Sequence, residues 1–206
     1  MTYLELRRSM KDFMAFSVRD ILKVDRAFHR RRLNEWQDKG YIRKVIKGFY
    51  IFADRDLDEW ALYEIANRIY KPSYVSLESA LAHYQLIPES AYEVTSVSTR
   101  RTYRFSSDVA VFRYRTVRPG LYSGYDLAAR GSRRVKIARP EKAVLDFLYL
   151  NPGLRTDPDF AGLRFDGERF FQLVSDRGFR AAASRFAQKT LTVRADRFLA
   201  FLQRGG

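Results

Sequence analysis

The chain has 206 residues, of which 46% are hydrophobic, so it is long and apolar enough to bury one large core or two small ones. It contains no cysteine, which excludes disulfide bonds, thiolate metal sites and cysteine nucleophiles. Its formal net charge of +14 favours polyanionic partners, of which nucleic acid is the simplest, although an acidic protein would also fit.

Two short helices are predicted at the start of the chain. Tyr3–Phe16 carries apolar side chains at helical spacing. Ser17 is predicted to cap the second helix, with Asp20 three residues further on in the capping-box position. The dipeptide Lys23-Val24 would then form the turn of a helix-turn-helix.

A third helix and a basic hairpin are predicted within Asp25–Phe52. Asp25 can cap the helix, and Gly40 can end it in the left-handed conformation that glycine adopts easily. Tyr41–Val45 and Phe49–Phe52 are short β-favouring runs separated by a Lys-Gly turn. Three helices and a hairpin in about 50 residues predict a winged helix-turn-helix.

The outward face of this third helix carries side chains suited to DNA. At about 100° per residue, its apolar side leaves Arg and Asn side chains pointing away from the core, and these contact guanine and adenine edges in a major groove. The hairpin adds cations that can neutralise phosphates. The alternative is a basic face that is merely solvated. The predicted DNA-binding residues are Arg26, Ala27, Arg30, Arg31, Asn34, Arg43, Lys44 and Lys47.

The acidic stretch 53–58 is predicted to separate a DNA-binding domain, residues 1–56, from a second domain, residues 57–206. A helix is predicted over Leu57–Tyr70, because apolar residues recur at helical spacing and Pro72 prevents its continuation. Ser76 is predicted to cap the next helix, whose first turn contains Glu78.

A change to two-residue periodicity predicts strands at Val94–Thr99, Thr102–Phe105 and Val109–Val117, the last two forming a hairpin. Five arginines lie on or beside these strands. They form either a solvated sheet face or a surface that binds a partner or nucleic acid. These arginines are Arg100, Arg101, Arg104, Arg113 and Arg115.

A strongly apolar helix is predicted after a short strand at Val135–Ala138, with Pro140 in its first turn and an Asn-Pro-Gly sequence at its end. We expect this helix to be the centre of the second core. Glu141 and Asp146 could be catalytic carboxylates, but a spacing of five places them on different sides of the helix. Further helices are predicted over Phe165–Gly178, Phe179–Lys189 and Ala195–Gln203.

The expected fold is therefore α+β, with an N-terminal winged helix-turn-helix followed by a mixed α/β domain that contains a small, mainly antiparallel sheet and several helices. No glycine-rich phosphate loop, nucleophile elbow or zinc-binding spacing occurs, so we expect neither an enzyme nor a bound cofactor or metal. No secretory leader pattern and no apolar run of membrane-spanning length occurs. We therefore expect a cytoplasmic protein with no membrane partner.

Several segments resemble the AbiEi-type antitoxins and transcriptional regulators of bacterial abortive-infection systems. They are the hairpin sequence GYIRKVIKGFYIF, then YEIANRIYKPSYVSLESAL, the alternating TSVSTRR and IARPEKAVLDFLYL. The resemblance implies a winged helix that represses its own operon. It also implies a C-terminal domain that neutralises a nucleotidyltransferase-like toxin, without a stable complex being necessary.

Three hypotheses for function result. The first is a repressor that binds double-stranded DNA at its own promoter and acts as the antitoxin of a toxin–antitoxin pair. The second is a winged-helix regulator without a toxin, whose C-terminal domain senses a ligand or oligomerises. The third is a nucleic-acid-processing enzyme, which a metal-dependent activity abolished by Glu141→Gln or Asp146→Asn would support.

Overall fold

The N-terminal part of the computed structural model consists of three short helices and a three-stranded antiparallel sheet. The structure describes residues 1–88, 93–131 and 133–205. The strand order is β1-β3-β2, so the predicted hairpin is confirmed and gains a two-residue strand that precedes the second helix. The elements are α1 (Tyr3–Ser9), β1 (Phe16–Ser17), α2 (Val18–Val24), α3 (Arg31–Asp38), β2 (Ile42–Ile46) and β3 (Phe49–Phe52).

Local hydrogen bonds decide where α2 and α3 begin. Ser17 caps α2 in a complete capping box, as predicted. Asp25 was the wrong cap for α3, because it ends α2 and its carboxylate accepts a hydrogen bond from the backbone N–H of Ala27. α3 therefore begins only at Arg31, and Arg26 lies with Ala27 in the connecting turn.

The first helix is shorter than predicted, and the hairpin turn is as predicted. α1 ends at Ser9, whereas Phe16 pairs with Tyr50 in the sheet and so cannot be helical. Gly40 and Gly48 have φ values of +68° and +84°, which the end of α3 and the hairpin turn require.

The second part of the chain surrounds a mixed sheet. In the described residues the strand order is β6-β7-β5-β4-β9-β8, with β5–β7 and β4–β9 parallel and the other three pairs antiparallel. The sheet is larger and less antiparallel than predicted, because β4 and β9 pair although they are distant in sequence. The strands are β4 (Ser73–Val75), β5 (Val94–Ser98), β6 (Tyr103–Ser106), β7 (Val111–Thr116), β8 (Tyr125–Arg130) and β9 (Arg133–Ala138).

Helices pack around this sheet and continue to the end of the described chain. They are α4 (Glu59–Ile69), α5 (Glu78–His83), α6 (Pro140–Leu150), α7 (Asp157–Ala161), α8 (Gly167–Leu173), α9 (Asp176–Ser184) and α10 (Lys189–Gln203), with a 3₁₀ turn at Pro119–Leu121. The described part of the tail thus contains four helices rather than the three predicted, because Thr156 starts α7 with a capping box of its own. Within the described ranges, no helix combines the length and the apolar character needed to cross a membrane.

Two hydrophobic clusters form the core. The smaller one lies within the N-terminal part. The larger one contains the buried side of α6, where Leu145 and Leu148 are buried and Phe147 is half-buried, and it confirms α6 as a core helix. This cluster also includes Val45 and Ile51 of the N-terminal hairpin. The apolar core therefore crosses the predicted domain boundary at 56/57, and that division stays a prediction.

Candidate nucleic-acid interface

A groove of about 650 Å³ lies between α2, the start of α3 and the turn of the β2–β3 hairpin. The backbone N–H of Val18 donates to the carbonyl oxygen of Gly48 over 3.1 Å, which holds the hairpin turn beside α2. Among the described residues that line the groove, none is acidic. Its charged and amide side chains, which we call the basic groove, are Arg19, Arg30, Arg31, Asn34 and Lys47.

The cations of the basic groove are accessible to solvent. The side chain of Arg31 is 90% exposed, and the carboxylate of Glu35 lies 3.9 Å from it on the same helix. Such a loose surface pair contributes little free energy. Arg30 lies near Tyr50, whose pKa is raised by burial while the charge of Arg30 acts in the opposite direction. The cations of the groove can therefore accept an anionic ligand without first breaking a strong protein contact.

Four of the eight predicted DNA-binding residues meet in the basic groove. They are Arg30, Arg31, Asn34 and Lys47. Lys44 is exposed and Arg43 is half-buried on β2, and both lie outside the lining of the groove, as do Arg26 and Ala27 in the turn before α3.

Arg19 belongs to the groove but was missed from the sequence. It lies in the first turn of α2, directly after the cap residue Ser17 and its neighbour Val18. The sequence shows a cation near the start of α2, but only the fold shows that this part of α2 faces the same groove as the start of α3.

Four of the five sheet arginines contact other protein groups through their side chains, and three of these four lie on strands β6 and β7. The guanidinium groups of Arg104 and Arg113, which are paired across β6 and β7, contact the carboxylate of Glu93 at 2.8 Å and 2.6 Å. Arg115 donates from Nη2 to the carbonyl oxygen of Leu150 over 2.7 Å, at the end of α6. These side chains hold the sheet to its surroundings.

The other two arginines lie in the turn before β6. The guanidinium of Arg100 lies 4.5 Å from the centre of the Tyr70 ring, a cation–π contact. The backbone carbonyl of Arg101 accepts a hydrogen bond from the Tyr70 hydroxyl over 2.7 Å, and its side chain is exposed. The five arginines therefore do not form one open cationic face, which favours a structural role over a binding surface.

A buried polar network joins β4 to α6. Asp146 accepts hydrogen bonds from the hydroxyl groups of Tyr74, over 2.8 Å, and Ser76, over 2.9 Å, and forms an ion pair with Lys142 one turn earlier. Ser76 therefore does not cap α5, which was a wrong prediction. The N-cap is Leu77, which has no side-chain capping bond.

The network is closed to solvent. The side chains of Lys142 and Asp146 are 7% and 0% exposed. Burial raises the pKa of Asp146 and lowers the pKa of Lys142, in each case against the attraction of the partner charge. Glu141 lies in the first turn of the same helix and takes no part in the network. We assign Asp146 a structural role, because every contact described for it is with another part of the fold.

No three His, Asp or Glu side chains come together as metal ligands within the described ranges.

No protein-family model and no curated protein matches this chain. Among solved structures, the chain is similar to the crystal structure of RV2827C protein from Mycobacterium tuberculosis, with 15% identity and a TM-score of 0.46. The match covers 96% of this chain and 79% of that one.

Proposed function

We propose that this protein is a transcriptional regulator that binds double-stranded DNA at its own promoter through an N-terminal winged helix-turn-helix. The basic groove carries the proposal, because it places Arg30, the N-cap of α3, and Asn34 of α3 beside Lys47 of the hairpin, without an acidic residue among the described residues that line it. A helix fits into the major groove of B-DNA, where Arg contacts guanine and Asn contacts adenine.

The two sides of the groove have different roles in this proposal. Arg30, Arg31 and Asn34 lie at the start of α3, where their side chains reach base edges. Lys47 on the hairpin and Arg19 on α2 contact phosphates, which gives affinity without sequence preference. Lys44, exposed on β2, adds to the phosphate-binding side.

The test is DNA binding by the full chain, measured by fluorescence anisotropy on its own promoter and on a scrambled duplex at two salt concentrations. In the double variant Arg30→Ala/Arg31→Ala, we expect preference for the promoter to fall by about 1–3 kcal/mol for each base that the protein no longer reads. In Lys44→Ala/Lys47→Ala, we expect both duplexes to bind more weakly and the salt dependence to become flatter.

The matched control is Arg177→Ala/Arg185→Ala, which removes two exposed arginines of the α9 region and the same total charge. This control should bind the promoter almost as the unchanged protein does. If the Arg30/Arg31 variant and the control bound equally well, α3 would not be the recognition helix and the proposal would fail.

We further propose, from the resemblance to AbiEi-type antitoxins alone, that the second part of the chain neutralises a nucleotidyltransferase-like toxin. Two segments carry residues of the buried network. YEIANRIYKPSYVSLESAL contains Tyr74 and Ser76, and IARPEKAVLDFLYL contains Lys142 and Asp146. These residues meet in the buried network, so the matching residues are core residues.

Growth rescue tests the antitoxin role. The full chain is expressed with a toxin-like protein from a neighbouring gene, and we expect growth to be restored by the full chain and by the Arg30→Ala/Arg31→Ala variant alike. Absence of rescue by both, with promoter binding intact in the full chain, would favour the regulator without a toxin.

A further inference from the structure

A second cavity, of about 440 Å³, lies where the N-terminal part meets the second part. Its walls come from the loop between α1 and β1, from α4 and the start of β4, and from β8 and β9. No residue described as lining it also lines the basic groove. We call it the seam cavity, and its volume falls in the range of about 300–1,000 Å³ that is usual for small-molecule sites.

Three buried polar atoms of the cavity wall have no hydrogen-bond partner in the described structure. They are Asn67 Nδ2, Arg68 Nε and Ser73 Oγ. Ser73 as a whole is only 2% exposed. Buried polar groups of this kind are nearly always paired in folded proteins, so three of them beside one cavity have hydrogen-bonding capacity left for a bound molecule.

The same side chains are fixed in place by their other atoms. Asn67 Oδ1 accepts a hydrogen bond from the backbone N–H of Lys136 over 2.6 Å. Arg68 Nη2 donates to the carboxylate of Asp20 over 2.8 Å, and the guanidinium lies 4.2 Å from the centre of the Phe13 ring. The unpaired donors are therefore held in position before a ligand binds, which reduces the entropic cost of binding.

The charge of the residues that line the seam cavity favours an anionic ligand. Lys71, Arg134 and Lys136 line the cavity together with Arg68, against two acidic residues. One of these, Glu64, already accepts a hydrogen bond from the backbone N–H of Met14 over 3.3 Å. Donors and excess positive charge match a group with several acceptor oxygens and a negative charge.

The seam cavity also has an apolar side. Phe13 and Pro72 line it, as does Leu127, whose side chain is 62% exposed although it is large and hydrophobic. We propose that the seam cavity binds a small organic anion. Its phosphate or carboxylate group contacts Arg134 together with Asn67, Arg68 and Ser73, and its apolar portion covers Phe13 and Leu127. This site does not depend on the DNA-binding proposal, and either can fail without the other.

The experiment uses the isotope-labelled full chain and the probes phenyl phosphate and benzoate, with phenol as the neutral counterpart. Nuclear magnetic resonance follows the side-chain amide of Asn67, which carries an unpaired donor. We expect phenyl phosphate or benzoate to shift this resonance at millimolar concentration and phenol to leave it unchanged. Ser73→Ala and Arg134→Glu should each weaken binding about tenfold, which corresponds to the loss of one good polar contact.

Arg177→Glu is the matched control, because it makes the same charge change at an exposed position on α9. It should bind the anions as the unchanged chain does. Arg134 is itself exposed, so its variant tests the site even if Ser73→Ala does not fold. The proposal is overturned if neither anion shifts Asn67, if phenol shifts it equally, or if Arg134→Glu and Arg177→Glu bind alike.

Discussion

The basic groove and the second part of the chain use cationic side chains in opposite ways. In the basic groove, Arg31 is almost fully exposed and has only a loose contact with a carboxylate on its own helix. In the second part, Arg104 and Arg113 share the carboxylate of Glu93, and Arg194 donates to carbonyl groups at the end of α6. The first set is open to a ligand, and the second set holds the fold together.

The difference shows that a cluster of arginines in the sequence does not by itself define a binding surface. Whether the arginines can bind a ligand depends on whether carboxylates or carbonyl groups from elsewhere in the chain lie within hydrogen-bonding distance of them. Paired strands and helix ends present carboxylates and carbonyls from distant positions, whereas the exposed face of α3 presents mainly other polar residues of the same helix. Substitutions in the two regions should therefore differ in their effect on stability.

The largest effect is expected for Asp146→Asn. This change leaves the buried ammonium group of Lys142 without its opposite charge, and breaking a buried pair from one side costs about 3–5 kcal/mol in the free energy of unfolding. Urea unfolding followed by circular dichroism measures the loss. A loss below about 1 kcal/mol would show that the pair does not stabilise the core.

The same variant should depend on pH in a defined direction. Burial lowers the pKa of Lys142 below the ordinary lysine value of 10.5. Without Asp146, the folded state at alkaline pH binds fewer protons than the unfolded state, so stability should rise as pH increases from the folded pKa towards 10.5. Lys142→Met/Asp146→Leu removes both charges and is the control, and it should lose less stability and show no such rise.

An intermediate effect is expected for Arg194→Ala. The side chain is 8% exposed, and Nη1 donates to the carbonyl oxygens of Leu148, over 2.8 Å, and Asn151, over 3.1 Å. Removing this charged donor should cost about 2–3 kcal/mol. Arg197→Ala, at an exposed position on the same helix, should change stability by less than about 0.5 kcal/mol in the same urea titration. Equal losses would contradict the structural role of Arg194.

The smallest effect on stability is expected for Arg30→Ala/Arg31→Ala. Both side chains are exposed, so the free energy of unfolding should change by no more than about 0.5 kcal/mol. Thermal melting of the preparations used for DNA binding provides the measurement. A loss of several kcal/mol in the free energy of unfolding would show that these arginines stabilise the fold, as the arginines of the second part do.

Elements with strong local signals were predictable from the sequence. The hairpin turn at Gly48 and the helix that begins at Pro140 depend on residues within a few positions of each other. Strands β4 and β8 were not predicted, and β4 pairs with β9, more than 60 residues later, through Val75 and Ile137. A three-residue strand has too little periodicity to be recognised, and its partner is set by the packing of the whole sheet.

Some residues of the candidate site were likewise predictable from local sequence, and others were not. Helical spacing was enough to place Arg30, Arg31 and Asn34 on one face, and the turn signal placed Lys47. Arg19 was missed because only the folded chain shows that α2 faces the same groove. The Lys142–Asp146 pair has a sequence signal, two opposite charges one turn apart on a strongly apolar helix, but this spacing alone does not show that both groups are buried.

The contact between the N-terminal part and α4 limits how this chain can be recombined with others. Val45 and Ile51 belong to the larger hydrophobic cluster, and Arg68 on α4 binds both Asp20 and the ring of Phe13. A fusion joined after residue 56 would separate these groups and expose an apolar face. The smallest N-terminal fragment that keeps these contacts therefore extends through α4 to Ile69, and it carries with it the part of the seam cavity wall formed by Phe13 and α4.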